Sequence, residues 1–312
     1  MVINGSELVT LSVRAKRSED EHYVSNYAHL MLGNTSTSQN QSWANSLPSI
    51  SSRVNGSPFR SNPRISPGKS SSSPVLTLVC AQTTFDTTFC AFLLNGLTTQ
   101  QKKKFFTGIG YETAKALAKM KPAKLILACR NAGKAKKAAS EIKAATGFQD
   151  IEPWDLDLAS FASVRAFARR FDESGLQLHV LLNNAAVVMP PEFRTGDGFE
   201  TTLQVNHLST MLLTLLLLPA IRRTAASPTW APRIILLASE MHFWMALPER
   251  TAPNLLTALN DCTAFDTGKL YGVTKLFNVL FVQELARRLA RSPLPGDRSI
   301  VVSSLNPGLT NS

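Results

Sequence analysis

The sequence predicts an α/β fold in which helices cover both faces of a doubly wound parallel sheet. From Thr107 onward, short apolar runs alternate with longer segments whose apolar residues recur at helical spacing. The short runs are continuously apolar, unlike strands of a sheet that faces water on one side. A chain of 312 residues is also long enough to bury the core of one such domain.

Five strands are predicted in this part of the chain because each is a short apolar run next to a helical pattern. In order they are "AKLILAC", "FQDIEPWDLDL", "LHVLLNNA", "RIILLAS" and "SIVVSSLNPG". The helices between them are "YETAKALAKM", "AGKAKKAASEIKAATG", "SFASVRAFARRFDESG", "FETTLQVNHLSTMLLTLLLLPAIRRT" and "KLYGVTKLFNVLFVQELARRLARS". Gly147 closes the second helix, and the third begins at the N-cap Ser160 and ends before Gly175. The alternation of strand and helix is typical of a parallel sheet.

The region before Thr107 has a different composition. Residues 1–74 are rich in Ser, Asn, Pro and Gly and contain too few apolar residues to offset the entropy lost on ordering, so we interpret them as a disordered extension. Residues 75–106 fit neither description and stay ambiguous. The domain proper is predicted over residues 107–312.

Charge and cysteine content narrow the function classes. The net charge of +11 suits anionic partners, but no basic stretch is interleaved with aromatics, so nucleic acid is not expected. The four cysteines show neither CxxC spacing nor a histidine cluster, which indicates free thiols and no metal site. No secretory signal is evident at the N-terminus, "MLLTLLLLPAI" is too short to span a membrane, and we expect a cytoplasmic protein.

The candidate catalytic residues lie where ligands bind in such sheets, beyond the carboxyl ends of the strands. "YGVTK" places Tyr271 and Lys275 four residues apart on one helical face. A nearby ammonium lowers the pKa of a tyrosine, which suits proton transfer near neutral pH. Ser239 ends a strand, where its hydroxyl could hold a substrate oxygen. Each residue alone also fits a structural role, as a helix pair or a turn serine.

Together these motifs resemble the short-chain dehydrogenase/reductase family. The resemblance rests on "TGIGYETAKALA", "LILACRN", "DLDLAS", "LLNNAAV", "LQVNHLSTMLLTLLLLP", "RIILLAS", "YGVTK" and "LNPG", which occur in the family's order from Thr107 to Gly308. "ACRN" and "VNHL" are similar to the branch of retinol dehydrogenase-like, WW-domain oxidoreductase-like and fungal reductases. The resemblance implies a Rossmann-like fold.

The resemblance implies the following catalytic roles. Tyr271 would exchange a proton with the substrate oxygen, and Ser239 would hydrogen-bond that oxygen. Lys275 would lower the pKa of Tyr271 and hold the nicotinamide ribose. Asn206 would hold a water that links Lys275 to solvent, although it could also be a helix-surface amide.

The resemblance also implies a dinucleotide site. Arg130 stands where an acidic residue would select NAD, and Lys134 lies one turn away, so NADP is expected and NAD is less favoured. Asp157 would contact adenine, and the turn from Asn183 to Ala185 would line the adenosine ribose. The complete expected cofactor set is Gly108, Ile109, Gly110, Arg130, Lys134, Asp157, Leu158, Asn183, Ala185, Tyr271, Lys275, Pro307 and Gly308.

The sequence departs from the family at two places. Lys104 stands where the first glycine of the TGxxxGxG turn belongs, and the polar "GLTTQQK" stands where an apolar strand is expected. We hypothesise that residues from about 75 to 106 derive from a misplaced splice junction or a rearranged gene. "AFLLNG" could instead serve as a makeshift first strand. The family also continues beyond "NPG", so the substrate side is expected to be incomplete.

The expected function is NADP-dependent interconversion of an alcohol and a ketone or aldehyde on a small lipophilic substrate, in the setting of secondary metabolism. A homodimer or a membrane-peripheral monomer is expected. Two alternatives stay open, an epimerase or dehydratase that shares YxxxK, and an inactive or non-catalytic nucleotide-binding protein.

Overall fold

Six parallel strands form one sheet in the order β3-β2-β1-β4-β5-β6. The computed structural model describes residues 109–227, 231–261 and 267–307, together with the backbone of residues 75–79. The strands are β1 (Val75–Val79), β2 (Lys124–Cys129), β3 (Ile151–Asp155), β4 (Val180–Asn183), β5 (Arg233–Leu237) and β6 (Val301–Leu305). From β1 the strands run outward in both directions, to β3 on one side and to β6 on the other. This is the strand order of a Rossmann fold, and it confirms the predicted fold class.

Strand β1 lies in the segment that stays ambiguous from the sequence, ahead of the polar "GLTTQQK" that stands where the strand is expected. "VLTLV" occupies the centre of the sheet, where Thr77 is in register with Ile126 of β2 on one side and Leu181 of β4 on the other. Its branched and apolar residues suit a strand flanked on both sides by others. The alternative first strand, "AFLLNG", lies outside the described residues, as do Lys104 and residues 1–74. The polar "GLTTQQK" is not part of β1.

In the part of the chain that the structure describes, six α-helices connect or flank the strands. They are α1 (Ile109–Lys119), α2 (Ala132–Thr146), α3 (Phe161–Glu173), α4 (Thr201–Ala225), α5 (Leu255–Asn260) and α6 (Thr267–Arg291). The caps predicted from the sequence are confirmed: Ser160 accepts a hydrogen bond from the Ser163 amide at 3.3 Å, and Gly147 has a φ of 72°. That left-handed conformation is the one for which glycine is favoured after a helix.

Helix α4 contains a single π turn over Gln204–Leu208, between an opening α-helical turn and the long segment Ser209–Ala225. The run that we considered too short to span a membrane is therefore part of a longer helix. By length and composition, Thr201–Ala225 passes the test for a span, but 83% of its most apolar stretch is buried inside the protein. Burial of this kind is typical of a core helix.

The hydrophobic core lies between the sheet and its covering helices. On one face, Leu125 and Leu127 of β2 pack with Ala118 of α1 and Ile142 of α2. This packing holds α1 and α2 against β2, and the carboxyl ends of the parallel strands share one edge of the sheet. This edge of the sheet carries the candidate site.

Candidate active site

The four predicted catalytic residues come from three neighbouring parts of the fold. Tyr271 and Lys275 lie on α6, Ser239 follows β5 by two residues, and Asn206 lies in the π turn of α4. Direct contacts link these parts: Ser239 contacts Tyr271, Lys275 contacts the end of β5, and Asn206 contacts Thr274 of α6. The structure therefore brings together the residues that the sequence predicts as one site.

Ser239 and Tyr271 form a hydrogen-bonded pair. Ser239 has an extended backbone and begins a 3-10 turn, and its Oγ accepts a hydrogen bond from the Met241 amide at 3.3 Å. Burial raises the pKa of Tyr271, and the hydrogen bond with Ser239 opposes this effect. At neutral pH the phenol is therefore protonated, which is the form that can donate a proton to a carbonyl oxygen.

Lys275 is a buried ammonium with one backbone partner. Its side chain is only 1% exposed, and Nζ donates to the carbonyl oxygen of Leu237 at 2.9 Å. Burial lowers its pKa from 10.5 to about 8. Nζ lies 5.4 Å from the centre of the Tyr271 ring. The expected lowering of the Tyr271 pKa is not found, because burial dominates the environment of that phenol.

Asn206 is fully buried and its side chain holds the segment after β4. Its Oδ1 accepts from the backbone amide of Val187 at 2.7 Å, and its Nδ2 donates to the Val187 carbonyl at 2.8 Å. Nδ2 also lies 3.3 Å from Thr274 Oγ1. Asn206 is thus not a helix-surface amide, and the alternative raised from the sequence is wrong on this point.

Two further residues of this network were not predicted. Asn278 of α6 donates from Nδ2 to the Asn206 carbonyl at 3.0 Å, and its Oδ1 lies 2.9 Å from Nδ1 of His207. Both side chains are buried. The only sequence signal was position: Asn278 lies three residues after Lys275, and His207 directly follows Asn206. Neither spacing reveals that a π turn brings the two side chains together.

The segment after Ser239 folds back on the catalytic helix. A Cβ on Gly272 would lie 2.4 Å from the Met245 sulfur, so the absence of a side chain at Gly272 lets Met245 pack against α6 beside Tyr271. Between these anchors, Phe243 and Trp244 are 53% and 68% exposed. Two large apolar side chains therefore lie on the surface close to the Ser239–Tyr271 pair.

The predicted cofactor residues line the carboxyl ends of β2, β3 and β4. Arg130 and Lys134 are exposed where β2 gives way to α2. After β3, Asp157 Oδ1 accepts from the Ala159 amide at 2.9 Å, and Leu158 is buried. Asn183 ends β4, and its Nδ2 donates to Thr214 Oγ1 at 3.2 Å.

The turn that would face a pyrophosphate is described only in part. Helix α1 begins at Ile109 with a buried Gly110, and Pro307 follows β6. Gly108 and Gly308 lie outside the described residues. Among the described residues, the buried Oδ1 of Asn184, next to Ala185 in the turn after β4, has no hydrogen-bond partner. This acceptor and the exposed Arg130 and Lys134 after β2 fit a polar, anionic ligand such as a dinucleotide.

Comparison with known proteins identifies the class. The family model described as short chain dehydrogenase matches residues 105–240. The chain is 35% identical over 202 residues to the short chain dehydrogenase sol3 of Alternaria solani, a match that covers 65% of this chain and 68% of that protein. The chain therefore belongs to the short-chain dehydrogenase family.

More particular relatives agree with this assignment. Retinol dehydrogenase 11 of Homo sapiens is 40% identical over 206 residues, which cover 66% of this chain and 59% of that protein. The chain thus spans about three fifths of this relative's length. The solved structure of a Pseudomonas aeruginosa RhlG/NADP active-site complex matches with a TM-score of 0.51 at 22% identity, covering 76% of this chain and 73% of that one. This likeness supports the fold. Among the described residues, no three His, Cys, Asp or Glu side chains cluster as a metal site would require.

Proposed function

We propose that this short-chain dehydrogenase is an NADP-dependent oxidoreductase that interconverts an alcohol and a ketone or aldehyde. The observation that carries the proposal is the Ser239–Tyr271 hydrogen bond beside the buried Lys275. A serine hydroxyl and a protonated phenol in contact offer two donors to one carbonyl oxygen. That arrangement suits reduction of a carbonyl more directly than it suits binding alone.

Each residue has a defined part in the proposed reaction. The Tyr271 phenol donates its proton to the carbonyl oxygen, and the Ser239 hydroxyl donates a hydrogen bond to the same oxygen. Lys275, charged at neutral pH with a pKa of about 8, stabilises the phenolate that Tyr271 becomes. Asn206 fixes the segment at Val187 against α6. The cofactor, when bound, supplies the hydride. After this step, a proton from solvent would reach the Tyr271 phenolate through a water held at Asn206 and through Lys275, which restores the phenol.

The residues that would hold the cofactor are those predicted from the sequence. Arg130 and Lys134 would receive the 2′-phosphate of NADP, because a guanidinium suits a phosphate and both side chains are exposed at the end of β2. Asp157 and Leu158 would flank the adenine. The turn from Asn183 to Ala185 would contact the adenosine ribose. The rest of the cofactor site would be formed by Gly108, Ile109, Gly110, Pro307 and Gly308. The NADP named for RhlG supports this choice over NAD.

The proposed substrate is small and lipophilic. Phe243 and Trp244 lie exposed beside the proton donor, and such side chains favour an apolar ligand. A relative named for its action on retinol, an apolar alcohol, supports the same class. The likeness to a fungal dehydrogenase supports a role in secondary metabolism. We further propose a cytoplasmic protein that is a homodimer or a membrane-peripheral monomer.

The proposal is tested by titrating the full chain with NADPH and with NADH, following cofactor fluorescence, and then adding aliphatic and aromatic ketones and aldehydes. We expect tighter binding of NADPH and a loss of absorbance at the nicotinamide band. Tyr271→Phe should abolish turnover and leave NADPH affinity nearly unchanged, because it removes the proton-donating hydroxyl and keeps the ring. The matched control is Tyr111→Phe, which removes the same group from α1 and should keep turnover.

Turnover by Tyr271→Phe at more than a small fraction of the unsubstituted rate would overturn the assignment. Equal affinity for NADPH and NADH would overturn the cofactor choice. NADPH binding without any carbonyl reduction would favour the second candidate, a non-catalytic nucleotide-binding protein. That candidate is favoured by Lys104, which stands where the family's turn has a glycine.

A further inference from the structure

Asn278 lies on the same face of α6 as the two proposed catalytic residues. It follows Lys275 by three residues and Tyr271 by seven, and helical periodicity aligns these positions. Its side chain is 2% exposed, so both ends of its amide need partners. Both partners belong to the π turn of α4: the Asn206 carbonyl and His207 Nδ1.

The direction of these two bonds is fixed by chemistry. A carbonyl oxygen can only accept, so the Asn278 NH₂ group must face Asn206 and its oxygen must face His207. His207 must then donate from Nδ1. Burial lowers the pKa of His207 to about 4, so the ring is neutral at pH 7 and carries its hydrogen on Nδ1. One amide thus determines one histidine tautomer.

The π turn explains why a side chain is needed at this point. A π turn adds a residue to the helix and displaces backbone groups from the regular α-helical pattern. Here side chains reach two successive carbonyls of the turn. The Thr210 hydroxyl donates to the Val205 carbonyl at 3.0 Å, and Asn278 donates to the Asn206 carbonyl. The first bond is local to α4, whereas the second ties the turn to the catalytic helix.

The same turn holds the segment after β4 from its other side. The Asn206 side chain binds both backbone groups of Val187, which lies close behind the turn predicted to line the cofactor. A continuous path therefore runs from α6 through Asn278 and the π turn to Val187. A shift of the Asn206 backbone would move Val187 relative to Lys275.

We infer that Asn278 is a positioning residue: its amide, held by His207, sets the distance between the catalytic helix and the segment at Val187. This inference rests on the proposed function for its kinetic consequence, but not for the contacts themselves. Misplacement of reacting groups by about 1 Å can cost roughly 100-fold in rate. Loss of the Asn278 amide should therefore affect turnover more than cofactor binding.

The kinetic test compares Asn278→Ala with Asn260→Ala in the full chain. Asn260 is a matched control because its amide also makes one donor bond and one acceptor bond: Nδ2 donates to the Gly198 carbonyl at 3.1 Å, and Oδ1 accepts from the Glu200 amide at 2.7 Å. Both variants should lose thermal stability. Only Asn278→Ala should lower kcat, by about tenfold or more, with KM for NADPH changed less than about threefold. An equal fall in kcat for both variants would show a merely structural role.

A second test needs no turnover. Nuclear magnetic resonance of histidine-labelled protein should show His207 as the Nδ1–H tautomer, titrating below about pH 5. Asn278→Ala should change that tautomer or midpoint and speed hydrogen exchange at the Val187 amide, and Asn260→Ala should do neither. An Nε2–H tautomer in the unsubstituted protein, or unchanged exchange at Val187, would overturn the inference. If no carbonyl is reduced at all, the proposed function fails and the resonance experiment still decides the role of Asn278.

Discussion

At the scale of single residues, Lys275 combines burial with a charge that the proposed chemistry needs. An ammonium taken from water loses solvation, and among the described residues the Leu237 carbonyl is its one hydrogen-bond partner. This cost lowers the pKa of Lys275 to about 8. The site therefore keeps a positive charge at neutral pH at the expense of stability.

This cost makes the stability of the protein depend on pH. Between pH 8 and 10.5 the unfolded chain holds the Lys275 proton and the folded chain has released it, so the free energy of unfolding rises with pH through this group. Lys275→Met, which has no charge to bury, should lack the rise. The measurement is urea unfolding of both proteins at pH 7.5 and at pH 9.5.

The comparison must stay below pH 10, because Tyr271 affects the free energy of unfolding in the opposite direction above that pH. Burial raises the pKa of Tyr271 above its ordinary value of 10.0. There the unfolded chain loses the phenol proton first, which lowers stability as pH rises. The same change between pH 7.5 and 9.5 in Lys275→Met and in the unsubstituted protein would contradict the assignment to Lys275.

Individual site residues were predictable to different degrees. The sequence predicts Tyr271 and Lys275 because their spacing of four residues matches the helical repeat. It predicts Ser239 because this residue stands at the end of an apolar strand. The structure adds a contact of Asn206 that the sequence did not predict, since its side-chain amide holds Val187. Asn278 was missed because its role depends on a contact with Asn206 of α4, which lies 72 residues earlier in the chain.

At the scale of elements, a buried ion pair fixes the end of α4 to the turn before β6. Arg222 donates from Nε and Nη2 to the two carboxylate oxygens of Asp297, at 2.9 and 2.8 Å. Asp297 is 1% exposed. The neighbouring Arg223 pairs with Asp172 on the surface, where the two side chains are 54% and 66% exposed. Two successive arginines of one helix thus form ion pairs in different environments, Arg222 with a buried carboxylate and Arg223 with an exposed one.

The two pairs should differ strongly in their contributions to stability. Asp297→Asn leaves the Arg222 charge without its carboxylate and should lower the free energy of unfolding by about 3–5 kcal/mol. Asp172→Asn, the matched control, should cost about 1 kcal/mol or less because water screens that pair. Urea unfolding of each variant gives both values. Equal losses would show that burial does not decide the contribution of the Arg222–Asp297 pair.

The elements themselves were more predictable than their boundaries with irregular segments. Strands β2 to β6 and the long helices follow from apolar runs and caps such as Ser160. The π turn of α4 carries no sequence signal, since one of its displaced carbonyls, that of Asn206, is satisfied by a side chain from α6, Asn278. Strand β1 was missed because it is short and because 29 residues separate it from α1. In this kind of fold, a turn of only a few residues usually joins a strand to the next helix.

At the scale of the whole molecule, residues 80–108 separate the central strand from the helix that should open the cofactor site. Connections between a strand and the next helix are usually two to six residues long in α/β folds. Here 29 residues lie between β1 and α1. The sheet still forms around β1, since Val75–Val79 pairs with both β2 and β4. We propose that the interruption affects the glycine turn and leaves the sheet intact.

The proposal predicts that shortening this connection repairs cofactor binding. Replacing residues 80–106 by Thr-Gly-Ala-Asn places TGxxxGxG directly after Val79 and leaves six residues before Ile109. The shorter loop should stabilise the fold by about 1.4 kcal/mol through lower closure entropy. Backbone amides of the restored turn can then face the pyrophosphate at the N-terminus of α1. NADPH affinity should rise at least tenfold, or about 1.4 kcal/mol.

A variant with the same deletion but Thr-Ala-Ala-Asn separates the two effects. It shortens the loop equally, so its melting temperature should rise as well, but a Cβ at the first glycine keeps the backbone from approaching the phosphates. NADPH affinity should therefore rise only in the glycine variant, as measured by cofactor fluorescence. If the unshortened chain already binds NADPH as tightly as the glycine variant, residues 80–106 must complete the site by another route, because no other change distinguishes the two proteins.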